Sequence, residues 1–145
     1  MNNKLIVSII VIVVIVLGAV WYFMSMQPAA QPETTNEVVV ILNEQNGSGM
    51  SGTATLTQME EGLKVVLGLN GAPENVSQPA HIHLNNCANI GGVKHPLTFP
   101  LNGKSETLVD TTLQEILNNL PLSVNIHKST SEASVYVSCG DIIKP

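Results

Sequence analysis

The sequence contains no arginine, and its six lysines are outnumbered by eleven acidic residues. Five lysines and all eleven acids lie beyond residue 24, which leaves that part with a formal charge of −6. Such a balance argues against nucleic acid as a partner and offers no basic patch to lipid headgroups. Cysteine is confined to Cys87 and Cys139, and histidine to His81, His83, His95 and His127. No internal repeat and no second domain is visible, so one unit over residues 37–145, close to the commonest domain size, must hold the core.

The one long apolar run lies at the start. Leu5 to Met24 is a twenty-residue stretch interrupted only by Ser8 and Gly18, and a bilayer's hydrocarbon core asks about 20 apolar residues of a helix. The run predicts a transmembrane helix over 5–24, with Trp21 and Tyr22 at the outer interface. A cleaved signal peptide has a shorter apolar region of about 7–15 residues and a small-residue site; Pro28-Ala29-Ala30 keeps that alternative open. Lys4 precedes the run and no basic residue follows until Lys64. The positive-inside rule then places residues 1–4 in the cytoplasm and makes the chain a single-pass membrane protein with its C-terminal domain extracytoplasmic. Residues 25–36, rich in Pro, Gln, Thr and Ala without periodicity, read as a flexible linker.

The two cysteines fall on the outer side in this topology, where disulfides persist, and are expected to be bonded. A closed loop of about fifty residues would contribute about 4 kcal/mol in the chain-entropy model. The alternative, thiolate ligation of a metal, requires Cys87 to be reduced.

Beyond residue 37 the pattern is mostly β. Val38–Leu42 is β-branched, Ala54 and Leu56 alternate with threonines, and Leu63, Val65, Leu67 and Leu69 alternate along a third strand. Asn46-Gly47-Ser48-Gly49 and Glu61-Gly62 supply the turns. Further strands are predicted at 80–84, 97–101, 106–110, 122–127 and 134–138. Seven or eight short antiparallel strands imply an all-β sandwich or flattened barrel. Leu113, Ile116, Leu117 and Leu120 recur instead at helical spacing. Thr112 and Glu115 suit a capping box and Pro121 a stop, so a short helix is placed there.

All four histidines sit in or near two of the strands. In Ala80-His81-Ile82-His83-Leu84 and Leu122-Ser123-Val124-Asn125-Ile126-His127 the apolar residues occupy one parity, the core side. His81, His83, Asn125 and His127 occupy the other. Side chains two apart on a strand share a face about 6–7 Å apart, so His81 and His83 can converge on one ion. A single histidine in an apolar strand is more often a hydrogen-bonded structural residue. Three on non-core faces have no packing explanation and fit an exposed imidazole-rich metal site, for which copper, zinc, iron and nickel are all suited.

The order His81-Ile82-His83, Cys87, His95-Pro96, Asn125-Ile126-His127 and Ser138-Cys139-Gly140-Asp141-Ile142 resembles that of the copper/zinc superoxide dismutases. The early strands, Val38–Leu42, Gly52-Thr53-Ala54 and Leu63–Leu69, are similar as well. The resemblance covers the whole of 37–145 and implies a Greek-key, immunoglobulin-like β-sandwich with copper held by His81, His83 and His127. It further implies His95 as a fourth ligand, a Cys87–Cys139 disulfide, and superoxide as the substrate of a copper-dependent disproportionation.

The sequence departs from the family at two places. No histidine lies between His95 and His127, so a zinc site is not expected and copper would be alone. The family's arginine that guides the anionic substrate, three residues before the second cysteine, is Tyr136 here. Lys94 and Lys128 adjoin two of the histidines and could replace its charge, or be ordinary solvated lysines. Tyr136, Asn125, Lys94 and Lys128 are thus the expected surroundings of the metal. The Ala-His-Ile-His opening and the Asn-x-His strand also resemble the chordin-type (CHRD) domains, which implies the alternative of a non-catalytic copper-binding or CHRD-like module.

Overall fold

The computed structural model describes residues 2–25 and 36–145, and within the first helix the side chains at 6, 9 and 12–23. The chain divides into two compact units, Met1–Thr34 and Thr35–Pro145. The first contains helix α1, Asn3–Ser25. Among the described residues no helix is long and apolar enough to cross a membrane. The expected transmembrane helix over 5–24 and the single-pass localisation built on it are therefore not supported. The linker expected over 25–36 lies, at 26–35, outside the described residues.

The second unit is all-β apart from short helical turns. Its strands are β1 Glu37–Glu44, β2 Ser51–Met59, β3 Gly62–Asn70, β4 Ala80–Leu84, β5 Val93–Pro96, β6 Lys104–Val109, β7 Leu122–His127 and β8 Tyr136–Ile142. They form one antiparallel sheet, nearly closed on itself, in the order β5-β4-β7-β8-β1-β2-β3-β6. Period-2 alternation decides what enters the barrel: Val38, Val40 and Leu42 from β1, Leu63, Val65 and Leu67 from β3, and Leu122, Val124 and Ile126 from β7 are all buried together. Each such side chain contributes about 1.5–3 kcal/mol on burial.

β1 makes the corner between the two halves. Residues 37–42 pair with β2, then Asn43 and Glu44 pair with Cys139 and Ser138 of β8. Gly140 permits the close approach, since a Cβ there would stand 2.2 Å from the Ile41 carbonyl oxygen. Helix α2, Leu113–Asn118, is the predicted one. Thr112 and Glu115 cap it reciprocally, and Leu113 and Ile116 are buried in the core.

The strand expected at 97–101 is displaced. The observed β5 ends at Pro96, and beyond it only Leu101 makes isolated bridges. Pro96 and Pro100 lack the N–H that a continuing ladder needs. The last strand also begins two residues later than expected and runs on to Ile142.

Candidate metal centre

β7 lies between β4 and β8, and every one of its residues is buried. Its non-core parity, Ser123, Asn125 and His127, is therefore covered rather than open. Two segments lie over it. The first is 85–91, whose 3-10 turn Cys87–Asn89 is joined to β8 by the Cys87–Cys139 disulfide across a sequence separation of 52 residues. The Asp141 carboxylate also accepts from the Cys87 amide at 2.6 Å. The second is the turn 128–135, closed by the Lys128 amide donating to the Val135 carbonyl. The expected exposed site is corrected accordingly: His83 is 4% and His127 6% exposed, with His81 intermediate.

Register brings the histidines together. His81 stands opposite Asn125 and His83 opposite Ser123. A shift in the β7–β8 ladder between Ile126 and His127 re-aims the last residue of β7, which pairs with Tyr136. The candidate ligand atoms of His81, His83 and His127 all lie within 4.8 Å of one another, close enough to bind one metal ion.

Two backbone carbonyls orient the rings. His83 Nδ1 lies 2.9 Å from the Gly91 carbonyl oxygen, and His127 Nδ1 contacts that of Ala133. A carbonyl can only accept, so both rings carry their proton on Nδ1 and present the Nε2 lone pair. His83 Nε2 is buried with no hydrogen-bond partner. His81 Nδ1 lies 3.1 Å from His127 Nε2, where it donates into that lone pair. The candidate donors are thus His83 Nε2 and His127 Nε2, both braced by an acceptor behind the ring, as metal-binding histidines usually are, with one ring nitrogen of His81 as the third.

Electrostatics favours the neutral form of His81 and His127. Burial, then the neighbouring His127 and His83, pushes the His81 pKa down to about 4. Burial also lowers that of His127, partly opposed by the Ala133 carbonyl and reinforced by His83. Neutral imidazole is the form that binds metal.

The remaining expected residues divide. Tyr136 does reach the site, its ring edge-on to His127 with centroids 5.0 Å apart. Asn125 is wholly buried beside His81 and Cys139 in the ladder, with neither amide atom hydrogen-bonded. His95 is not brought into the group. It pairs with Ile82, on the core parity of β4, and its charged neighbours are Lys94 and Glu115. Burial, with Lys94, lowers its pKa and Glu115 opposes this. Lys128 is taken up by an exposed 2.7 Å ion pair with Glu132, a contact of little energetic weight.

Sequence reasoning missed Gly91, Ala133 and Phe99. The first two act through backbone carbonyls, which every residue carries. Phe99 meets His81 edge-on at 6.2 Å from the segment beyond β5, where a strand had been expected. No protein-family model matches the chain, and no curated protein matches it.

Proposed function

We propose that this protein is a copper-binding, superoxide dismutase-like protein that disproportionates superoxide to oxygen and peroxide. The observation that carries the reading is the convergence of ring nitrogens of His81, His83 and His127 within 4.8 Å of one another, two of the rings fixed by carbonyl acceptors. Three imidazoles, one of them with a buried ring nitrogen that has no hydrogen-bond partner, fit copper. The strand order adds support, since β3-β6 followed across the open edge by β5-β4 is the arrangement of a Greek key. So does the disulfide, which ties the segment after the His-x-His pair to the last strand.

Copper bound there would supply the one-electron couple that oxidises one superoxide to oxygen and reduces a second, with two protons, to peroxide. The chain's own residues bind and orient. Gly91 and Ala133 hold two rings in the ligating tautomer, and His81 would give up its contact with His127 to offer a ring nitrogen to the metal. His81 is the least buried of the three and forms the approach. Tyr136 walls the site beside His127 with a phenol ring in place of a cationic side chain.

The second reading, a non-catalytic copper-binding or CHRD-like module, is favoured by one feature: Tyr136 stands where a guiding cation would be, in a chain without arginine. Copper titration of the full chain, followed by a superoxide-disproportionation assay, separates the two. The expected result is one copper per chain, bound at least about tenfold more weakly after His83→Ala or His127→Ala, and disproportionation only when loaded. Copper binding without turnover selects the non-catalytic module; unchanged affinity after both substitutions removes the site.

A further inference from the structure

A cavity of about 410 Å³ lies where the β1–β2 turn, the segment before β4 and the turn 128–135 meet, with Met50, Gln78, Lys128, Val135, Tyr136 and Val137 among its walls. That size is within the range of small-molecule sites. Gln78 is its most telling residue. The side chain is 1% exposed, and its amide nitrogen faces Met50 Sδ at 3.3 Å and the His127 and Lys128 carbonyls at 3.4 Å. Its Oε1 is buried with no hydrogen-bond partner. A buried acceptor left unpaired is costly, so this atom calls for a donor.

Two polar side chains of the wall are already committed. The Asn46 amide donates to the Tyr136 carbonyl and the Ser48 hydroxyl to that of Val137. Lys128 is the only charged lining residue, and Glu132 neutralises it. What remains is an apolar wall of Met50, Val135 and Val137 with the Tyr136 ring, and one unmet acceptor.

We propose that this cavity binds a neutral organic molecule with an apolar body and a single hydroxyl or N–H donor, seated on Gln78 Oε1. Tyr136, which separates the cavity from His127, places the occupant next to the three histidines. The inference does not depend on copper, and its test uses metal-free protein.

Isotope-labelled full-length chain is titrated with phenol and, in parallel, with anisole, which has the same ring but no donor. Phenol is expected to shift the amides of 46–50, 71–78 and 128–137 and the Gln78 side-chain amide saturably. Anisole should bind about tenfold more weakly or worse. Val135→Phe, a change at a partly exposed wall position, should abolish the phenol shifts and leave copper binding intact. Absence of a saturable shift, equal affinity for phenol and anisole, or unchanged phenol binding by Val135→Phe would each overturn the proposal and leave Gln78 Oε1 to an ordered water.

Discussion

Replacing both Cys87 and Cys139 by alanine removes the covalent tie between the segment over the histidines and β8. With a sequence separation of 52 between the partners, the chain-entropy model gives about 4 kcal/mol of lost stability at 25 °C. Cys139 is buried in the middle of β8, so the substitution also removes packing. For a domain of this size the unfolding entropy is about 0.2 kcal/mol per degree, which converts the loss into a fall in Tm of about 15–20 °C. The same change should loosen residues 85–91, and with them the Gly91 carbonyl that fixes the His83 tautomer. Copper affinity should then fall along with stability. The assay is urea unfolding followed by far-UV circular dichroism, because the single tryptophan, Trp21, lies in α1 and the sheet unit has none. A rise in m-value is expected, since the unfolded chain without the crosslink is more expanded. A loss below about 1 kcal/mol would refute the loop-closure argument, and unchanged copper affinity would refute the coupling to His83.

The three remaining predictions probe the site from different sides. Between about pH 6.5 and about pH 4 the unfolded chain protonates His81 while the folded one resists, so stability is complete above the upper value and is lost as pH falls. Allowing for screening at the open edge of His81, the loss is about 1–2 kcal/mol; denaturant titrations at several pH values should show it, and an identical acid slope in His81→Ala would disprove the assignment. Gly91→Ala would set a Cβ 2.9 Å from the Leu84 carbonyl oxygen, so the segment must shift. A cost of about 1–3 kcal/mol and weaker copper binding are expected, and calorimetry that finds both unchanged contradicts the role given to Gly91. Tyr136→Arg should raise any disproportionation rate at low ionic strength and make it fall more steeply with salt, because steering is what salt screens. A salt profile identical to wild type would show that Tyr136 does not border the path of the anion.

The parity of the strands was legible in the sequence because a period of two survives any tertiary context. Ala80, Ile82 and Leu84 against His81 and His83, and Leu122, Val124 and Ile126 against Asn125 and His127, fixed which side chains share a face before any neighbour was known. The Thr112/Glu115 cap was equally local. Those patterns determined an all-β unit with a short helix and nominated the three histidines together. His95 was nominated only by the family resemblance, and the β4–β5 register sets it opposite Ile82, apart from the three. Nor could parity say what lies over the second face of β7. A polar parity reads as exposed unless another part of the chain returns to cover it, and here two segments do, one through the disulfide and one through the turn before β8. That return set the burial of His83 and His127, supplied the carbonyls of Gly91 and Ala133, and so chose which nitrogens are free for a metal. It is a long-range outcome of chain closure, carried by backbone groups that have no signature in residue type.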